Sequence, residues 1–199
     1  MDRPSPDHAN AKVILLVSSH LETGHYFNPH AQRIIEGKKN GAKLIVLDTR
    51  LSNTATHADH WLSPYPGSEP AIFLAVANWM IQNGRYDENF VRRWWNWQDY
   101  MEMVKGEPSA SFERFLEVLG ELYESYTFDF AAAESGLEVE TLRDVAEMIS
   151  SAGTQLSAYN WRSAGSGNLG GWQVARTMTL LGALMGSLAT EGGTFPNSW

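Results

Sequence analysis

The sequence predicts an α/β fold, a parallel Rossmann-like sheet with additional helices, and three observations predict it. The runs Val13 to Val17 and Leu44 to Leu47 are apolar at every position, the pattern of parallel strands buried beneath helices on both sides. The segment between them has a helical pattern, so strand, helix and strand form a βαβ unit. Such a crossover is right-handed and brings the C-terminal ends of both strands to one edge of the sheet. Downstream, helical stripes recur, the clearest being Val139, Leu142, Val145, Ala146 and Ile149. With 199 residues, 43% of them hydrophobic, the chain has ample apolar surface for a core and is not a disordered polypeptide.

The elements follow in order. Lys12 to Ser18 is the first strand, and a polar loop from Ser18 to His25 follows it. Asn28-Pro29 reads as a helix start with proline in the first turn. Ala31, Ile34 and Ile35 give that helix its apolar face, Lys38 and Lys39 complement the dipole of its last turn, and Asn40-Gly41 stops it. Lys43 to Leu47 is the second strand, and His60 to Leu62 a short third. Pro66 to Pro70 launches a helix that runs to Asn83-Gly84. Phe90 to Val104, crowded with Trp94, Trp95, Trp97 and Tyr100, reads as one short helix covering the core. Phe112 to Tyr126 is helical, Gln155 to Trp161 is a further strand, and Trp172 to Leu188 is the last long helix. No repeat, low-complexity segment or linker divides the chain.

Composition removes several function classes. A formal charge of −8 argues against a nucleic-acid partner, since phosphate binding rests on clustered Lys and Arg. The absence of cysteine excludes disulfides, thiol nucleophiles and iron–sulfur clusters held by this chain. Met178 to Ala189 is the most apolar stretch and is too short to span a bilayer, so direct membrane insertion is not expected. Met1 to Asn10 lacks the basic and apolar regions of a signal peptide.

Gly165, Gly167 and Gly170 spell the glycine pattern of a dinucleotide fingerprint. A second strand ending in an acid should follow, and Glu191 instead comes after an unbroken helix; a tight glycine turn feeding a buried helix is the simpler reading. His20, His25 and His30, spaced by five, do not share a helix face, and with His57 and His60 they read as loop histidines making ordinary hydrogen bonds, so neither a metal site nor a catalytic group is assigned. The acidic stretch from Glu113 to Glu147 reads as solvated helix faces. Trp94, Trp95 and Trp97 are either core cover or a surface for further protein.

The βαβ geometry gathers three loops at one edge: the loop after strand one with Ser19, His20 and Glu22; Asp48-Thr49-Arg50 after strand two; and Gly67-Ser68-Glu69 at a helix start. Asp48 can accept hydrogen bonds from ribose hydroxyls. Glu69 can accept two from guanine, whose N1–H and N2–H are both donors. Ser19 and the amides of the helix starting near Asn28 can meet phosphate. These residues describe either a nucleotide pocket or the edge of a ligand-free α/β domain.

Three segments carry a resemblance: Gly41 to Arg50, Ala58-Asp59-His60-Trp61-Leu62, and Pro66-Gly67-Ser68-Glu69-Pro70-Ala71. They resemble the dinucleotide-binding stretch of catalytic subunits in the dimethyl sulfoxide reductase superfamily of molybdopterin oxidoreductases. The family usually has Asp-Pro-Arg at Asp48-Thr49-Arg50 and Pro-Gly-Thr-Asp at Pro66-Gly67-Ser68-Glu69. Similarity continues in order through Gly84 to Val91, Tyr126 to Gly136 and Asn168 to Gly193. Its usual Gly-x-Asn after strand one stands here as Ser18-Ser19-His20, with extra residues around Gly24 to Phe27.

The resemblance implies a molybdenum or tungsten oxidoreductase with a bis-molybdopterin guanine dinucleotide centre, a small-molecule substrate and an electron-transfer subunit, in the cytoplasm or periplasm. It implies that Asp48 and Glu69 hold ribose and guanine, that Ser19, Thr49 and Arg50 meet nearby polar groups, and that Trp161, Arg162 and Asn168 face the pterin. Residues 1–199 are then expected to be an internal fragment. It would lack the N-terminal region with the metal ligand and a possible iron–sulfur cluster, and the C-terminal barrel. The alternative is a non-catalytic α/β nucleotide-binding or scaffold domain.

Overall fold

The computed structural model describes residues 5–19, 29–161, 165 and 169–195. In chain order the elements are β1 (Ser5–Pro6), β2 (Val13–Val17), α1 (His30–Lys39), β3 (Lys43–Leu47), β4 (His60–Leu62) and α2 (Glu69–Gln82). There follow α3 (Glu88–Trp94), α4 (Trp97–Met103), α5 (Phe112–Tyr123), α6 (Phe128–Ser135), α7 (Val139–Ser150), β5 (Leu156–Asn160), α8 (Gly171–Leu184) and β6 (Thr194–Phe195). β2 to β5 make a four-stranded, fully parallel sheet in the order β4-β3-β2-β5. The chain steps outward from β2 to β3 to β4, then crosses back through α2 to α7 and lays β5 on the other side of β2. This reversal is a topological switch point, and in open α/β sheets ligands bind outside the carboxyl ends of the strands there.

Alternation along the strands explains the layers. Val13, Leu15, Val17, Ile45, Leu47 and Leu62 point to one face, where α2 to α8 build the larger core. Ile14, Leu16, Leu44 and Val46 point to the other, beneath α1 and short turns at His8–Asn10 and Ala55–His57. The opposite directions of the two right-handed crossovers put their helices on opposite faces. Gly37 lets α1 close on the first of these turns: a Cβ there would clash with the His8 carbonyl oxygen. Asp59 ties the N-terminal edge together, accepting from Lys38 Nζ (2.7 Å), Lys43 Nζ (3.0 Å) and the Leu44 N–H (2.9 Å). Burial raises its pKa, but these hydrogen bonds outweigh that and hold the carboxyl well below the usual carboxylate range.

Four sequence expectations are corrected. Phe90 to Val104 is two helices, α3 and α4, broken where Trp95 takes extended backbone at the end of α3. α5 stops at Tyr123. The last long helix ends at Leu184, because Gly186 turns left-handed (φ +63°) and Leu188 pairs with Thr194. The first turn of α1 has Pro29 at its cap with no side-chain capping bond, and Asn28 lies outside the described residues. Trp94 is 65% exposed, whereas Trp95 and Trp97 pack on the core.

Candidate functional site

The carboxyl edge of the sheet carries the loop residues singled out from sequence, laid out strand by strand at the roughly 4.8 Å spacing of neighbouring strands. After β2 come Ser18 and Ser19. Ser18 is left-handed (φ +50°) and donates its N–H to the Leu47 carbonyl at 2.7 Å, which fastens the exit of β2 to the tip of β3. Ser19 is fully buried, with its hydroxyl turned inward onto the Val17 carbonyl at 2.9 Å. After β5, the half-buried Trp161 donates its backbone N–H to Val17 O at 3.2 Å. His20, Glu22, Arg162 and Asn168 lie outside the described residues.

At the tip of β3 the chain makes an Asx turn: Asp48 Oδ1 accepts the Arg50 N–H at 3.0 Å. Asp48 Oδ2 has no partner among the described residues. Thr49 and Arg50 are exposed beside it. β4 flanks this turn closely. The Leu62 carbonyl accepts the Asp48 N–H (3.0 Å), Trp61 Nε1 donates to the Asp48 carbonyl (2.9 Å), and Ser63 Oγ donates to the Thr49 carbonyl (3.2 Å).

The next loop leads into α2. Gly67 takes φ +91°, a conformation open to glycine, and its N–H donates to Glu69 Oε2 at 2.9 Å. Glu69 is only 5% exposed, and its Oε1 has no partner among the described residues. Ser68 does not cap the helix; its hydroxyl donates to the Tyr65 carbonyl at 2.7 Å. Tyr65 in turn lies across Gly136, where a Cβ would meet the phenol ring at 2.7 Å, and its N–H bonds the Ser135 carbonyl. Acidic Glu69 in the first turn of α2 also faces the positive end of that helix's dipole. Of the glycine run, Gly170 is the left-handed cap of α8 (φ +79°), and Gly167 lies outside the described residues.

A second buried polar group lies under α1. His8 is wholly buried; its Nδ1 is 2.9 Å from Ser157 Oγ and its Nε2 has no partner among the described residues. Burial, with the neighbouring His30, pushes its pKa down to about 3, so the ring is neutral. His30 sits between His8 and Tyr159 at ring separations of 5.1 and 4.6 Å, and Tyr159 lies 6.4 Å from Trp161. No group of three His, Cys, Asp or Glu able to hold a metal ion occurs among the described residues.

A family model described as molybdopterin oxidoreductase matches residues 1–194. The chain belongs to this family. F420-dependent formate dehydrogenase 2 subunit alpha of Methanococcus maripaludis is 30% identical over 146 residues, 73% of this chain and 19% of that protein. The probable oxidoreductase YjgC of Bacillus subtilis is 28% identical over 192 residues, 96% of this chain and 17% of that protein. Acetylene hydratase from Pelobacter acetylenicus superposes with a TM-score of 0.77 at 24% identity, over 96% of this chain and 23% of that one, which shows the fold. This molybdopterin oxidoreductase chain thus spans under one fifth of the length of these two sequence relatives.

The family's cofactor is a molybdopterin, and the side chains that stand open at this edge are hydrogen-bond acceptors. Two carboxylates stand in the loops after neighbouring strands, each with one oxygen engaged by its own loop and the other without a partner among the described residues. In the molybdopterin oxidoreductase chain, sequence reasoning reached both carboxylates but not their supports, Trp61, Ser63, Tyr65 and Gly136, nor the buried His8. Trp61 and Gly136 fell inside segments of family resemblance. A lone histidine in a polar stretch before a strand carries no signal of burial.

Proposed function

We propose that this chain is the cofactor-binding α/β region of a larger molybdenum- or tungsten-dependent oxidoreductase, holding a molybdopterin guanine dinucleotide of a bis-pterin centre along the carboxyl edge of its sheet. The observation that carries the reading is the pair of half-engaged carboxylates, Asp48 and Glu69, in the loops that follow the neighbouring strands β3 and β4. Glu69 accepts from the guanine N1–H and N2–H, and Asp48 from ribose hydroxyls. Thr49 and Arg50, exposed beside Asp48, and the backbone of Gly67 and Ser68 border the nucleoside. Ser19 closes the floor of the edge, its hydroxyl being committed to Val17. Trp161 borders the pterin side; Arg162, Asn168, His20 and Glu22 lie outside the described residues and are assigned to the cofactor by the family resemblance alone.

When bound, the cofactor supplies a redox-active metal that exchanges electrons, hydride or oxygen with a small substrate, while the protein binds and orients it. The relatives' names, among them subunits alpha of formate dehydrogenases, support a catalytic subunit working with an electron-transfer partner. An iron–sulfur cluster of the complete subunit would take its cysteines from outside this chain, which has none. Among the described residues no helix is long and apolar enough to cross a membrane.

Titration calorimetry with guanosine diphosphate tests the reading. Asp48→Ala and Glu69→Ala should each weaken binding by about 1–3 kcal/mol, the cost of losing a charged hydrogen-bond acceptor. Unchanged affinity in both variants would overturn it and favour a scaffold domain.

A further inference from the structure

β4 is the shortest strand of the sheet, three residues at its edge, yet three of the bonds that shape the Asp48 turn come from it and the residue after it. One is the backbone bond from the Asp48 N–H to Leu62. The other two are made by side chains to backbone carbonyls: Trp61 Nε1 to Asp48 O at 2.9 Å and Ser63 Oγ to Thr49 O at 3.2 Å. Neither carbonyl has a ladder partner beyond β4, because β3–β4 pairing stops at Leu47 and Leu62. Without these donors, two consecutive carbonyls at the turn would have only water to bind. Among the described residues, the Asp48 N–H bond to Leu62 and the Asx bond from Arg50 N–H to Asp48 Oδ1 would then be what still holds the turn. Trp61 is 40% exposed, so its indole contributes little to the core. Its N–H is nonetheless aimed at the carbonyl of Asp48 itself.

We propose that Trp61 and Ser63 are positioning residues: they clamp the backbone of the Asp48-Thr49-Arg50 turn so that Asp48 presents Oδ2 to the ligand while Oδ1 stays on the Arg50 amide. The clamp itself stands on geometry alone; its consequence for binding rests on the nucleotide reading proposed above. Trp61 acts through its N–H rather than its ring, and Ser63 through its hydroxyl. Trp61→Phe therefore removes the function while keeping an aromatic ring on the edge strand, and Ser63→Ala removes it with the loss of one atom.

The experiment separates the two layers in the full chain. Amide hydrogen exchange, read by nuclear magnetic resonance, reports the Arg50 N–H, and calorimetry with guanosine diphosphate reports binding. In Trp61→Phe the Arg50 amide should exchange about fivefold faster, and in the Trp61→Phe/Ser63→Ala double variant about thirtyfold, because local opening is read directly as a rate. Amides of β5 and the melting temperature should stay as in the parent, which a general structural role would not allow. The Trp61 indole N–H resonance should also shift on adding guanosine diphosphate, and the double variant should bind it roughly tenfold more weakly, as two neutral hydrogen bonds permit. Arg50 exchange within twofold of the parent in the double variant overturns the clamp. If the parent chain binds no guanosine diphosphate while Arg50 exchange still rises, the clamp stands and the nucleotide reading falls.

Discussion

On one face of the sheet, Val13, Leu15, Val17, Ile45 and Leu47 lie beneath α2, with α5 to α8 packed around it; on the other, Ile14, Leu16, Leu44 and Val46 lie beneath α1 and two short turns. The strand residues on both sides are essentially inaccessible to water. Their covers differ in depth and in chemistry. The thick face is closed by hydrocarbon and aromatic rings, among them Phe73, Phe112, Phe115 and Trp97. The thin face includes a neutral buried histidine and, between α1 and the turn at Ala55–His57, an open groove of about 490 Å³ with Ile34, Ile35 and Leu44 in its walls. Equal burial thus conceals unequal redundancy: one face can lose a contact only by opening a cavity, while the other has solvent close by to fill the gap.

The largest expected effect comes from breaking the thick face. Phe73, 1% exposed in α2, has no space to collapse into, so Phe73→Ala should lower unfolding free energy by about 3–5 kcal/mol. The matching truncation on the thin face, Ile34→Ala beside the groove, should cost about 2 kcal/mol, the low end for a buried aliphatic truncation, since the site opens onto the groove. Urea titrations of the two variants measure the contrast; equal losses would mean that the two covers are equivalent.

Acid probes the thin face by itself. His8 titrates near 6.5 when unfolded and near 3 when folded. Its depressed folded pKa contributes stability that is complete above pH 6.5 and is lost as pH falls toward 3. Between pH 7 and 5 that amounts to about 2 kcal/mol. In His8→Asn, which keeps a partner for Ser157, the stability difference between these pH values should shrink by that amount. A slope identical to the parent's would show that His8 takes up its proton without unfolding.

A smaller effect is expected at the site itself. Gly136 is left-handed and has the Tyr65 ring against it, so Gly136→Ala should destabilise the chain by about 1–2 kcal/mol. It should also displace the loop that carries Gly67 and Glu69, visible as faster exchange of the Gly67 amide, which bonds Glu69. A melting shift with no change at Gly67 would detach Tyr65 from the support of Glu69.

Much of this was legible in the residues. Uninterrupted apolar runs at Val13–Val17 and Leu44–Leu47 announce strands with two covered faces, and Asn40-Gly41 and Asn83-Gly84 end helices as their conformational freedom requires. Order along the chain placed Asp48 and the Gly67-Ser68-Glu69 loop at one edge, because parallel strands share an exit side. What periodicity could not convey is depth of cover, since Leu15 and Leu16 look alike as letters and face different layers. Nor could it show bonds between side chains and backbone carbonyls distant in sequence, such as Trp61 to Asp48, because any exposed tryptophan on an edge strand has the same spelling. The break between α3 and α4 was hidden because Trp95 and Asn96 are each compatible with a helix, and tertiary packing of the aromatic cluster decides the matter.

Base selectivity tests the central claim most directly. If Glu69 reads the Watson–Crick edge of guanine, guanosine diphosphate offers it two donors where adenosine diphosphate offers an acceptor at N1, a distinction worth about 1–3 kcal/mol for a bidentate pair. Calorimetry on the full chain should therefore show guanosine diphosphate binding about tenfold or more tightly than adenosine diphosphate. That ratio should collapse toward one in Glu69→Gln, which keeps the size of the side chain and loses the second acceptor. Equal affinities for the two nucleotides in the parent chain, or a ratio untouched by Glu69→Gln, would contradict the assignment of this edge as a guanine dinucleotide site.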